Sequence, residues 1–188
     1  MSTKRDDIID TTSDLLERQG YFATGVNQIV AESGAPKGSL YYYFPGGKDE
    51  ITEEAIRRAG AQVTERLERL FGDNDSPGEA LAALAGGIAR AMKAAQFVAG
   101  SPITTVALET AVKNQRLSAA CREVYEAWRS VFEVHIARSG VAAERAERLS
   151  TLVLAAIEGG IILSRTYESD EPLRRVAAEL HELLESAR

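Results

Sequence analysis

The sequence predicts an all-α protein of about nine helices, and three observations carry that prediction. Apolar residues recur at three- and four-residue intervals from one end of the chain to the other. No run of strand length alternates apolar with polar residues, and no internal repeat is evident. The breaks between periodic segments carry glycine, proline, serine and aspartate, which end or open helices. The composition suits such a fold: of 188 residues, 45% are apolar and 27% charged, well outside the disordered regime. A chain of this length buries roughly 70% of its unfolded surface and needs no disulfide or metal to fold.

Each element has its own signal. Ile8, Ile9, Thr12, Leu15 and Leu16 form one stripe of a first helix, expected to stop at Gln19-Gly20 with glycine just past its end. A short helix from Val26 to Ser33 follows, with Val26, Ile29 and Val30 on one face, and Gly34-Ala35-Pro36 breaks it. A second short helix, from about Lys37 to Phe44, ends at Pro45-Gly46-Gly47. The fourth begins near Lys48, where Asp49 and Glu50 suit the N-terminal dipole, and runs to about Phe71. Ser76-Pro77-Gly78-Glu79 has the form of a capping box with proline at the first helical position, and predicts a helix reaching Phe97. Ser101-Pro102 opens another of the same kind, expected to extend to Val112. After Asn114 a long helix bears Leu117, Cys121, Val124, Tyr125, Trp128, Phe132 and Ile136 and stops at Ser139-Gly140. The eighth covers about Ala143 to Tyr167. The last starts around Asp170-Pro172, with Leu173, Val176, Ala177, Leu180, Leu183 and Leu184 at helical spacing.

Several chemistries find no support. The single cysteine, Cys121, excludes an internal disulfide and a Cys-rich zinc site, and suits a reducing, cytoplasmic setting. His135 and His181 are isolated, so no metal or other cofactor is expected. Gly47-Lys48 looks like part of a phosphate loop, but Tyr42 stands where its first glycine belongs and Asp49 replaces the Ser/Thr. No G-x-S-x-G occurs. The residues therefore do not point to an enzyme. The longest apolar run, Leu152 to Leu163, contains Glu158 and falls short of the ~18 residues of a span, so no membrane partner is expected. The amino end, Met-Ser-Thr-Lys-Arg-Asp-Asp, has no apolar core of a signal peptide behind it.

The net charge of −6 opposes a nucleic-acid partner only until its distribution is considered. Residues 1–48 hold five Lys/Arg and six Asp/Glu, and between Ser33 and Lys48 there are two lysines and no acid. Affinity for DNA depends on charges that face phosphates, not on the chain total.

Residues 26–44 carry the sharpest pattern. Two short helices joined by a three-residue turn cross steeply, as in a helix-turn-helix. Gly34 supplies a turn position that tolerates positive φ. Ile29 and Val30 anchor the first helix, and Leu40 and Phe44 the second. With the latter pair inward, Lys37, Gly38, Tyr41 and Tyr42 face outward. Two neighbouring exposed tyrosines are costly unless they meet something, and phenol groups bond phosphate oxygens or lie beside base edges.

The run Lys37-Gly38-Ser39-Leu40-Tyr41-Tyr42-Tyr43-Phe44, preceded by Ile29-Val30-Ala31-Glu32-Ser33-Gly34, resembles the DNA-binding signature of TetR/AcrR-type transcriptional regulators. The resemblance covers about residues 5–52. It implies a helix-turn-helix head at residues 1–47, a linking helix at 48–72 and an effector-binding, dimerising body at 73–188. It further implies that Thr24 caps the first short helix and touches a phosphate. Pro36, Lys37, Gly38 and Ser39 would form the leading end of the recognition helix in the major groove. Tyr41 and Tyr42 would contact backbone and bases, and Lys48 would pair with a phosphate. Tyr43 stands where the family more often has histidine and would reach the same phosphate. The Pro45-Gly46-Gly47 corner resembles that of a subgroup of repressors that respond to lincomycin or flavonoids.

The final two helices carry enough apolar surface for a homodimer interface, and Ala155, Ala156, Gly159 and Gly160 would admit another helix closely. A small-molecule effector pocket would lie between the Ser76–Phe97, Ser101–Val112, Leu117–Ser139 and Ala143–Tyr167 helices. Its candidate lining is Met92, Phe97, Ile103, Leu108, Tyr125, Trp128, Phe132 and Glu158, with Tyr125 and Trp128 sharing a face for a planar apolar ligand. The expected partners are thus a double-stranded DNA operator, a small apolar or aromatic effector and a second copy of the chain. On the residues alone, a helical protein-interaction module without DNA binding is the rival reading, and an all-α enzyme using Trp128 and Glu158 the remoter one.

Overall fold

The structure, a computed structural model, describes residues 3–98, 100–110 and 113–187. Nine helices and no strand occur among the described residues: α1 (Lys4–Ala23), α2 (Val26–Ser33), α3 (Lys37–Tyr43), α4 (Lys48–Asp73), α5 (Pro77–Ala94), α6 (Pro102–Thr110), α7 (Gln115–Arg138), α8 (Ala143–Thr166) and α9 (Glu171–Ser186). Most expected boundaries hold within two residues. The expected end of the sixth helix, Val112, lies outside the described residues.

Two boundaries differ for identifiable reasons. Chain direction does break at Gly20, which has φ +79°, but another helical turn follows as far as Ala23. The break frees the Phe22 N–H from the helix, and the Glu109 carboxylate of α6 accepts it at 2.9 Å. At the other difference, α5 stops at Ala94 rather than Phe97. Gln96 and Phe97 have positive φ, and the Phe97 N–H donates back to the Met92 carbonyl at 2.8 Å, closing the helix end. The Ser76 cap forms by half: its hydroxyl accepts the Glu79 N–H at 3.1 Å. A complete reciprocal box occurs instead at Thr3 and Asp6, opening α1.

The chain divides into two compact units. The first holds α1–α3, α4 as far as Ala61, α6, and α7 as far as Val124. Its core is Ile8, Leu15, Leu16, Ile29, Leu40, Phe44, Ile51, Ile56, Ile103 and Leu117, all fully buried or nearly so. Arg5 pairs with Glu54, and Arg58 with Asp6 and Asp10, which ties α1 to α4. Glu53 is shared by Arg57 and Arg116, while Arg57 also reaches Glu123, tying α4 to α7. Between those two helices, a Cβ on Gly60 would overlap the Val124 side chain.

The second unit holds α4 from Gln62, α5, α7 from Tyr125, α8 and α9. Leu81, Leu84, Met92, Trp128, Phe132, Val153, Ile157, Leu173, Leu180 and Leu184 form its core. The Ser164 hydroxyl of α8 accepts the Leu173 N–H at 3.1 Å, satisfying a donor in the first turn of α9. By length and composition α8 is apolar enough to cross a membrane, contrary to the expectation from its twelve-residue run. A core helix passes the same test, and α8 packs against α9.

Candidate nucleic-acid interface

The turn between α2 and α3 depends on Gly34, which caps α2 in the left-handed conformation (φ +62°, ψ +15°). Ala35 then enters the core and Pro36 precedes the first turn of α3. Ile29 is the fully buried anchor of α2, whereas Val30, expected to share that role, is half-buried. Leu40 of α3 and its C-cap Phe44 are both fully buried, and the Arg5 guanidinium lies 5.3 Å from the Phe44 ring centroid.

That burial decides what the opposite face presents. Pro36, Lys37 and Gly38 are exposed and Ser39 is half-buried. Tyr41 is 50% exposed, Tyr42 80% and Tyr43 36%. The Tyr42 and Tyr43 rings meet edge to face, with centroids 5.2 Å apart, so each restricts the other. The face therefore offers one cation, small residues and three phenols, with no carboxylate on α3.

Lys48, at the start of α4, is half-buried, and its Nζ lies 3.9 Å from the centroid of the Tyr21 ring. Burial lowers its pKa, against the opposing pull of Asp49 and Glu109. The Tyr21 hydroxyl donates to one oxygen of Asp49, and the Asn114 amide donates to the other at 2.9 Å. Burial and the adjacent Asp49 carboxylate push the Tyr21 phenol up to about 12. Sequence reasoning took Asp49 for a dipole partner only and passed over Tyr21 and Asn114. Nothing in local spacing links positions 28 and 65 residues apart.

One expected role is corrected. Thr24 does not cap α2: the cap position is Gly25, which makes no side-chain cap bond. Thr24 is fully buried, and its hydroxyl donates to the Gly20 carbonyl at 2.7 Å, closing the kinked end of α1.

Of the residues expected to line a pocket, Met92, Trp128 and Phe132 are buried in the second unit and Ile103 in the first. Phe97, Tyr125 and Glu158 are half-buried. Leu108 departs from the set, being 76% exposed. Tyr125 and Trp128 pack edge to face (centroids 5.7 Å, 79° between planes), so they contact one another rather than forming a parallel platform. A groove of about 420 Å³ in the second unit is lined by other residues: Glu68, Ser130, Val131, Val134, His135 and Arg138.

Against this geometry, two family profiles match the chain. "Bacterial regulatory proteins, tetR family" covers residues 8–55, and "Transcriptional regulator LmrA/YxaF-like, C-terminal domain" covers residues 77–179. The HTH-type transcriptional regulator LmrA of Bacillus subtilis is 37% identical over 180 residues, 96% of each chain. The uncharacterized HTH-type regulator YxaF of the same organism is 39% identical over 94% of this chain and 92% of its own. A TetR regulatory protein from Rhodobacter sphaeroides shares the fold, with a TM-score of 0.87 and 20% identity over 96% of this chain and 98% of that one. The family profiles and the curated relatives thus make this chain a DNA-binding transcriptional regulator of the helix-turn-helix type, not an enzyme. The chain belongs to the TetR family, and its C-terminal part is of the LmrA/YxaF-like kind.

Proposed function

We propose that this regulator is a homodimeric, cytoplasmic repressor that leaves its operator when a small apolar or aromatic effector binds. Residues 1–47 read DNA, 48–72 link, and 73–188 bind effector and dimerise. The observation that carries the reading is the opposition across α3 and its C-cap: Leu40 and Phe44 are fully buried, Tyr41 and Tyr42 exposed. In this reading Pro36, Lys37, Gly38 and Ser39 lead α3 into the major groove. Tyr41 and Tyr42 meet bases and backbone, and Tyr43 and Lys48 meet phosphates. Two such helices enter successive major grooves about 34 Å apart, which requires two copies. The exposed Leu152, Ile162 and Leu163 of α8 support a dimer, as does Gly159, at which an added Cβ would meet nothing within 4 Å.

The effector acts only through a difference in its affinity for the DNA-bound and released conformations. Met92, Phe97, Tyr125, Trp128, Phe132 and Glu158, all of the second unit, are the proposed lining. The continuous helix α4, from Lys48 to Asp73, is the element that would transmit the change. Footprinting on the gene's own upstream region, with and without lincomycin-like and flavonoid compounds, tests the reading. Protection that such compounds abolish is expected. Absence of protection from the wild type, with protein shown dimeric by sedimentation, overturns it.

A further inference from the structure

Lys48 lies where the charges of two carboxylates, Asp49 and Glu109, act on it, yet among the described residues it forms no ion pair. A lysine so placed ordinarily closes onto the nearest carboxylate, because an ammonium gains more from a negative oxygen than from an aromatic face. Here neutral donors engage both oxygens of Asp49 and one oxygen of Glu109. Asp49 accepts the Tyr21 hydroxyl on one oxygen and the Asn114 amide on the other. Glu109 accepts the Phe22 N–H at 2.9 Å, beside Gly20, where a Cβ would overlap that carboxylate. The Asn114 side chain is itself fixed, since its carbonyl oxygen accepts the Leu117 N–H at 3.2 Å at the start of α7.

We infer that Asn114 and Tyr21 are positioning residues for DNA binding: by engaging both oxygens of Asp49 they keep the Lys48 ammonium out of a direct ion pair with it, seated on the Tyr21 ring and available to a phosphate. The inference rests on the proposed phosphate contact of Lys48. It also assigns a consequence to the corner between α6 and α7. Any movement that withdraws Asn114 returns a carboxylate oxygen to Lys48 and removes one cation from the DNA-facing set. A neutral hydrogen bond and a surface charge are thereby made alternatives, which costs the fold little in either state.

The test uses the full-length protein and a mixed-sequence duplex of about 30 base pairs, long enough for both recognition helices. Binding is followed by fluorescence anisotropy across a salt titration. Asn114→Ser keeps an oxygen able to cap α7 but removes the amide donor. Tyr21→Phe keeps the ring under Lys48 and removes the hydroxyl. Each variant is expected to bind about five- to tenfold more weakly, with a salt slope lower by about one per recognition helix, as Lys48→Ala does. Adding Asp49→Asn to either variant should restore binding, because a carboxamide cannot neutralise the lysine. Wild-type affinity and slope in both single variants, with Lys48→Ala weakened, overturns the positioning role. So does a loss that Asp49→Asn fails to rescue, which would then come from distortion of the head. Wild-type binding by Lys48→Ala instead overturns the contact on which the inference rests.

Discussion

Leu40 of α3 and Phe44, the C-cap whose N–H bonds the Leu40 carbonyl, have no accessible surface, and their shared burial is what turns the intervening Tyr41 and Tyr42 to solvent. Stability and the proposed recognition thereby fall on opposite sides of a seven-residue helix. Leu40→Ala should cost about 2–5 kcal/mol of stability through the cavity it leaves. Tyr42→Ala should change stability by less than about 0.5 kcal/mol. The same change should weaken duplex binding by about 1–3 kcal/mol while sedimentation still shows the wild-type assembly. Urea melts followed by circular dichroism, with gel-shift titrations, check both halves.

Gly34 holds the turn in a left-handed conformation with nothing within 4 Å of where a Cβ would stand. The cost of Gly34→Ala is therefore one of backbone conformation alone, about 1–2 kcal/mol. Gly34→Asn should cost less, since asparagine tolerates this region. Denaturation midpoints that rank glycine, asparagine and alanine in descending order would support the assignment. An alanine variant as stable as the parent would refute it.

Adjacent glycines on α8 should respond in opposite directions. A Cβ on Gly160 would stand 2.9 Å from Leu173 Cδ1 and 3.4 Å from its Cα, so Gly160→Ala forces α9 away and should destabilise by about 1–3 kcal/mol. At Gly159 a Cβ meets open space within one chain, so Gly159→Ala should gain up to about 1 kcal/mol from helix propensity in the single chain while weakening the proposed dimer, whose second helix it would crowd. Melts at several protein concentrations separate effects within one chain from effects on association.

Cys121 is 3% exposed, and burial pushes its thiol up to about 11 from an ordinary 9.0. Its neutral form is the one the fold accommodates. A raised native pKa means that stability is present in full below pH 9.0 and lost as pH climbs through about 11. Over that window the wild type should lose stability relative to Cys121→Ala. At pH near 8 a thiol reagent should label the native protein slowly, at a rate set by opening, and label the urea-unfolded chain at once. Rapid native labelling would contradict the burial.

Helix spacing, the glycine turn and the outward tyrosines were all legible before any coordinates, because each is a local property. A stripe at three- and four-residue intervals says which side of a helix needs burial, and with Leu40 and Phe44 on one side Tyr42 has nowhere else to point. Thr24 shows where this stops working. A cap on the second helix is the expected role, and the kinked end of α1 supplies the Gly20 carbonyl to its hydroxyl instead. The half-formed box at Ser76 is similar: the residue types permit it, and geometry completes only one bond.

What the sequence by itself determined is the set of helices, their buried stripes and the class of molecule, since hydrophobic periodicity and turn chemistry act within a few residues. What only the tertiary structure decided is the company each charge keeps. Asp49 meets Tyr21 and Asn114 across 28 and 65 positions, and Glu109 meets the broken end of α1 across 87. Those meetings depend on how separate helices pack, and electrostatic partners are chosen by distance in space, which no spacing along the chain encodes.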